Sequence, residues 1–202
     1  MGRIEVAKEA ARLIYSGIAD EYKQAKELAA QSLGERSIPS NYDVAVELDR
    51  IADETEGEER RRLLVEMRKK ATALMRALSR YGPVLTGSVW RGTARKGSDI
   101  DINVYTTSPE DVVKALAKNG YNAVRAEEES VVKGGKMLRS THVFVDIDGI
   151  EAEVVVRSRE EEGEVDRCEI YGDLKRGLGL PDLERLMKTD PLRKFIPKRR
   201  YR

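Results

Sequence analysis

Between Asp99 and Tyr105 the chain reads Asp-Ile-Asp-Ile-Asn-Val-Tyr. Strict alternation is the period of a β-strand, whose successive side chains point to opposite faces. Ile100, Ile102 and Val104 must then enter a core, so the strand predicted here belongs to a sheet covered on that face. Asp99 and Asp101 project side by side from the other face. Adjacent carboxylates repel, which raises the cost of ionising both. A hard divalent cation relieves that cost by taking both as oxygen ligands. Taken alone, the pair reads more readily as the solvated side of an amphipathic strand.

The residues upstream favour the cation. Pro83 to Thr86 reads as a short strand ending at Gly87-Ser88, eleven positions before Asp99. Glycine lets a backbone approach a ligand closely, and free amides at the start of a following helix favour an anion. The Ser88 hydroxyl adds a donor. A phosphate-gripping turn beside a cation-binding acid pair is what nucleoside-triphosphate chemistry requires.

A third carboxylate would complete a two-metal site. Thr141 to Ile147 and Ile150 to Arg157 read as strands joined by Asp148-Gly149, a strong hairpin signal. A two-residue turn sets Asp146 opposite Glu151 and Phe144 opposite Glu153. Val145, Ile147, Ile150, Ala152, Val154 and Val156 then share the core face, and Asp146, Asp148, Glu151 and Glu153 share the other. Periodicity does not choose among these four acids.

The flanks are helical in texture. Three regions are expected: an N-terminal helical region over 1–80, an α/β catalytic core over 81–158, and a C-terminal helix and basic tail over 159–202. From Val6 to Leu28, apolar residues recur at three- and four-residue steps, predicting one helical stripe broken at Gly34 to Pro39. Ser40 and Asp43 form a capping-box-like start to a second helix. Glu54 to Glu59 is an acidic link before a third, with Leu63, Leu64, Met67, Leu74, Met75 and Leu78 on one face, closed by Gly82-Pro83. Ser108-Pro109 opens a helix to Lys118, Tyr121 to Arg125 is a further strand, and Pro181 to Lys188 is a short helix.

Charged residues make up 36% of the 202, yet the net charge is +1, so any phosphate-binding surface must be local. One cysteine, Cys168, excludes an intramolecular disulfide and fits a reducing compartment. No stretch approaches a membrane span, and Met1 to Lys8 lacks the apolar core of a signal peptide, so a cytoplasmic protein is expected.

Gly87-Ser88, Arg91-Gly92-Thr93 and Ser98-Asp99-Ile100-Asp101-Ile102 together resemble the signature of the DNA polymerase β-type nucleotidyltransferase superfamily. The motif is closest to that of archaeal CCA-adding enzymes and minimal nucleotidyltransferases, and the resemblance covers roughly 83–157. It implies an α+β fold: a small mixed, twisted β-sheet with helices on one face, plus the N-terminal helical region. It also implies that Asp99 and Asp101 bind two magnesium ions (manganese being the alternative), with the third acid on a later strand. Glu153, followed by Val154-Val155-Val156, fits that position best, where those enzymes commonly carry aspartate; Glu151 is the competing choice. Gly87 and Ser88 would hold the triphosphate. Arg91 and Thr93 match the Arg-Gly-Thr element, and Arg91 suits bidentate phosphate binding.

The implied activity is transfer of a nucleoside monophosphate from ATP or another triphosphate to an acceptor hydroxyl, with an RNA 3′ end first in line. The chain is short for the tRNA-grasping domains of CCA-adding enzymes. Modification of a protein or small molecule is one alternative, and a non-catalytic RNA-binding module of the same fold another. Lys133, Lys136 and Arg139, beside Gly134-Gly135 in an expected mobile loop, and the tail Lys198-Arg199-Arg200-Tyr201-Arg202 are candidate contacts to RNA or tRNA. The N-terminal stripe is expected to be core or a homodimer seam. Trp90 is expected to anchor a helix on the sheet. His142 has no Cys or His at metal-site spacing, so it is expected to be structural or at the surface.

Overall fold

The computed structural model describes residues 2–133 and 135–198. Residues 199–202 of the basic tail and Gly134 lie outside the described residues, as do the side chains of Lys133 and Lys136. Two compact units divide the chain. One comprises Met1–Arg60, Asp166–Lys175 and Ile196–Arg202, the other Arg61–Val165 and Arg176–Phe195.

The first unit is helical. Helices α1 (Gly2–Tyr15) and α2 (Tyr22–Leu33) pack on each other, and α3 (Asn41–Ala77) begins in the same unit. Two helices replace the single stripe expected from Val6 to Leu28. Gly17 sits in the left-handed region at φ 71°. The Ile18 amide donates to the Leu13 carbonyl at 2.9 Å and the Gly17 amide to the Ile14 carbonyl at 3.2 Å. This is a Schellman stop, which glycine makes at little cost. The chain reverses beyond it, and Ile18 leaves the stripe to stand 64% exposed. The shared core is rich in alanine, including Ala7, Ala10, Ala11, Ala25 and Ala29, which allows close helix approach. The start of α3 is capped as expected. The Asp43 amide donates to Ser40 Oγ, and the Ser40 amide donates to Asp43 Oδ2. Gly57, inside the acidic link, interrupts α3 with non-helical angles.

The second unit is a six-stranded mixed sheet with helices, an α+β architecture. Its strands are β1 (Val84–Leu85), β2 (Ile100–Tyr105), β3 (Ala123–Lys133), β4 (Lys136–Ile147), β5 (Ile150–Arg157) and β6 (Leu178–Gly179), in the order β3-β4-β5-β2-β1-β6. The helices are α4 (Gly87–Arg91), α5 (Pro109–Lys118) and α6 (Leu180–Thr189), with the later part of α3. Ile100, Ile102, Val104, Val143, Val145, Ala152 and Val154 are fully buried, as alternation demands. They meet Met67, Leu74 and Met75 of α3, and Leu78 just beyond it, in one core. The β4–β5 hairpin closes on a two-residue turn with Asp148 at φ 52° and Gly149 at φ 80°, and its register pairs Ile147 with Ile150, Asp146 with Glu151 and Phe144 with Glu153.

β3 and β4 depart from expectation. In place of a short strand and a mobile loop, Ala123–Lys133 and Lys136–Ile147 form a long antiparallel ladder, paired from Ala123 with Val145 to Lys133 with Lys136. β3 is a sheet edge, so its outer face needs no apolar residues, and Glu127-Glu128-Glu129 conceal the strand from a hydrophobic-period reading. Among the described residues no helix is long and apolar enough to cross a membrane.

Candidate active site

β2 and β5 run parallel and place Asp101 directly beside Glu153. Asp99 stands one residue before β2. Their carboxylate oxygens lie within 4.8 Å of one another, and among the described residues this is the one group of three acids so arranged. Of the four hairpin acids, Glu153 is therefore the one that faces the aspartates. Asp146 caps the turn instead, accepting from the Gly149 amide at 3.1 Å, and Asp148 pairs with Lys70.

The glycine turn closes over the same point. Gly87 has φ 65°, and a Cβ added there would lie 1.7 Å from Asp101 Oδ2. Only a residue without a side chain lets the backbone and this carboxylate share the space. The Thr86 amide donates to the Asp101 carbonyl at 2.8 Å, which fixes the end of β1 to β2. α4 starts at Gly87, so Ser88 lies in its first turn. The Ser88 carbonyl accepts from the Gly92 and Thr93 amides, the latter at 3.0 Å.

Burial pushes the Asp101 carboxyl up to about 7, with Asp99 next in effect and Glu153 after it. Ionising a carboxyl so placed is costly, and a bound cation would offset that cost. Three carboxylates converging on one point suit a hard divalent cation.

The turn is anchored from behind. Arg68 of α3 is fully buried and its guanidinium donates only to carbonyls: Val89 and Trp90 of α4, Pro191 and Arg193 beyond α6, at 2.7–3.0 Å. Burial lowers it to about 10. Arg91 is buried as well. It stacks on Trp90 with 4.1 Å to the ring centroid, and Nη1 donates to the Phe195 carbonyl at 2.9 Å, while the Phe195 amide returns a bond to the Arg91 carbonyl. Trp90 itself packs in the sheet core.

His142 adjoins the triad without any ligand spacing along the chain to mark it. On β4 its Nδ1 lies 2.6 Å from Glu153 Oε1, and its Nε2 lies 2.9 Å from Ser140 Oγ and 3.2 Å from Glu129 Oε2. The signal was present in the hairpin register. Phe144 opposes Glu153, and a residue two positions away on the strand shares its face.

Residues 67–182, more than half of the chain, match the model of the nucleotidyltransferase domain family. The chain belongs to this family, within the polymerase β-like superfamily. The match takes in α3 from Met67, the acid triad and the start of α6, so the nucleotidyltransferase domain extends beyond the motif segment on both sides. No curated protein matches the chain. Among solved structures, a cytoplasmic RNA terminal U-transferase is similar at 18% identity over 59% of this chain and 35% of that one, with a TM-score of 0.32. The Cid1 poly(U) polymerase is similar at 19% identity over 59% and 37%, with a TM-score of 0.30. The chain spans little more than a third of the length of either.

Proposed function

We propose that this nucleotidyltransferase domain transfers a nucleoside monophosphate from a triphosphate to an acceptor hydroxyl, with Asp99, Asp101 and Glu153 holding magnesium, two ions in all, or manganese in its place. The observation that carries this reading is the convergence of three carboxylates against the Gly87-Ser88 turn. The bound cation would supply charge neutralisation for the triphosphate and its developing leaving group. Ser88, with the amides of the turn, donates to the β- and γ-phosphate oxygens. Thr93 and Arg91 act from the same loop, Thr93 by its hydroxyl and Arg91 through the turn that its buried guanidinium steadies. Glu153 takes the proton of the acceptor hydroxyl as that oxygen bonds to the α-phosphorus. The bond from the α-phosphorus to the bridging oxygen breaks, and pyrophosphate leaves. Positioning and electrostatic stabilisation supply most of the rate.

An RNA 3′ hydroxyl is the acceptor we place first, in a cytoplasmic setting, with the chain's basic residues along the backbone. Arg139 is one of these; the tail residues 199–202 lie outside the described structure. Incubation with each α-labelled ribonucleoside triphosphate, magnesium, and tRNA, protein or small-molecule acceptors tests the reading. Label should pass to an acceptor with release of pyrophosphate, and Asp101→Asn should lower the rate at least ~1,000-fold, the scale of losing a central electrostatic element. Undiminished transfer by that variant would reject the mechanism. Salt-dependent RNA binding with no triphosphate binding would favour the non-catalytic module.

A further inference from the structure

Glu153 differs from its two partner acids in reach. Its carboxylate swings on three torsions, and fixing them costs conformational entropy. It also stands opposite Phe144, a neighbour with no hydrogen bond to offer. The one described group that holds it is His142. Nδ1 lies 2.6 Å from Glu153 Oε1, and a carboxylate only accepts, so Nδ1 carries the hydrogen in this bond. The other side of the ring is held across two strands. Ser140 Oγ and Glu129 Oε2 flank Nε2 at 2.9 and 3.2 Å, and Ser140 is the register partner of Glu129. The two side chains of the pair are 18% and 21% exposed, which places the bond at the lip of the site rather than in the core.

Resting on the metal-binding role proposed for the triad, we propose that His142 is a positioning residue. It holds Glu153 in the orientation that completes the carboxylate cluster, so affinity for a divalent cation depends on the Nδ1 hydrogen. A partner of this kind tunes a ligand it does not replace, and losing one costs roughly 10- to 100-fold in metal affinity. The contribution is geometric: one carboxylate oxygen is engaged by the ring, and the group cannot rotate away from Asp101. This also gives the β3–β4 ladder a task, because Glu129, Ser140 and His142 all come from it.

Three variants separate the donor from its bulk. Asparagine places an amide nitrogen near the Nδ1 position, glutamine places it farther out, and phenylalanine keeps the ring without a donor. Mn2+ is titrated into each full-length protein, with and without ATP, and free Mn2+ is read by its electron paramagnetic resonance signal. Metal-free melting curves confirm that each variant folds. His142→Gln and His142→Phe are expected to bind Mn2+ about 10- to 100-fold more weakly, with His142→Asn within a few-fold of the native protein. Native affinity in the Gln and Phe variants overturns the proposal. So does an Asn variant as weak as Phe, because a donor returned to the Nδ1 position would then restore nothing. If the native protein and Asp101→Asn bind Mn2+ equally, the metal-binding role of the triad falls, and this proposal with it.

Discussion

At the scale of single residues, Asp101 is the most constrained group in the site. Burial raises its carboxyl from 3.8 to about 7, so between those values the folded protein binds more protons there than the unfolded chain. The stability it contributes is complete below pH 4 and is lost as pH rises toward 7. Metal-free protein should therefore lose stability from this group over that interval and show no further loss above it. Asp101→Asn should flatten the trend and raise metal-free stability at neutral pH by at least about 1 kcal/mol. Urea melts at a series of pH values in EDTA check both. Gly87 is the second such residue. At φ 65° and with a Cβ overlapping Asp101 Oδ2, Gly87→Ala should cost about 1 kcal/mol of stability and at least ~100-fold in transfer, because the acid must move. Wild-type transfer in Gly87→Ala would mean that the turn and the acid do not act together. Both residues were legible in the sequence, since alternation and a glycine-serine turn are local signals. The His142 contacts carry no local signal, because they run across strands rather than along the chain.

At the scale of elements, the hairpin and the helices differ in how plainly they were written. Asp148-Gly149 fixed the β4–β5 register to the residue, which is why Phe144 and Glu153 could be paired in advance. Only the start of β3 is legible, in Tyr121 to Arg125, because an edge strand may carry glutamates on its open side. The break between α1 and α2 is hidden for the opposite reason. The apolar period continues past Gly17, and only the left-handed angle at that glycine shows that the helix has ended. Arg68 belongs at this scale too, since it ties α3 to α4 and to the segment after α6 within the second unit. Arg68→Met should leave two buried and two part-buried carbonyls short of a donor and destabilise the protein by about 3 kcal/mol or more. A denaturation midpoint unchanged from wild type would show that the carbonyls find other partners.

At the scale of the whole molecule, texture along the chain tracked the change from helix to α/β, but a single helix, α3, contributes residues to both compact units. An amphipathic stripe says which side of a helix is buried and not what buries it, so no period in α3 marks a boundary. The proposed function requires the molecule as a whole to hold a triphosphate together with a divalent cation. The most direct measurement is the melting temperature of the native chain and of Asp101→Asn with each ribonucleoside triphosphate, in magnesium and in EDTA. A ligand at about 100 times its Kd stabilises by ~2.7 kcal/mol, several degrees for a chain of this size. That rise should occur for the native chain with triphosphate and magnesium together, and vanish in EDTA and in the variant. No rise with any triphosphate, or an equal rise in Asp101→Asn, would contradict the site described here.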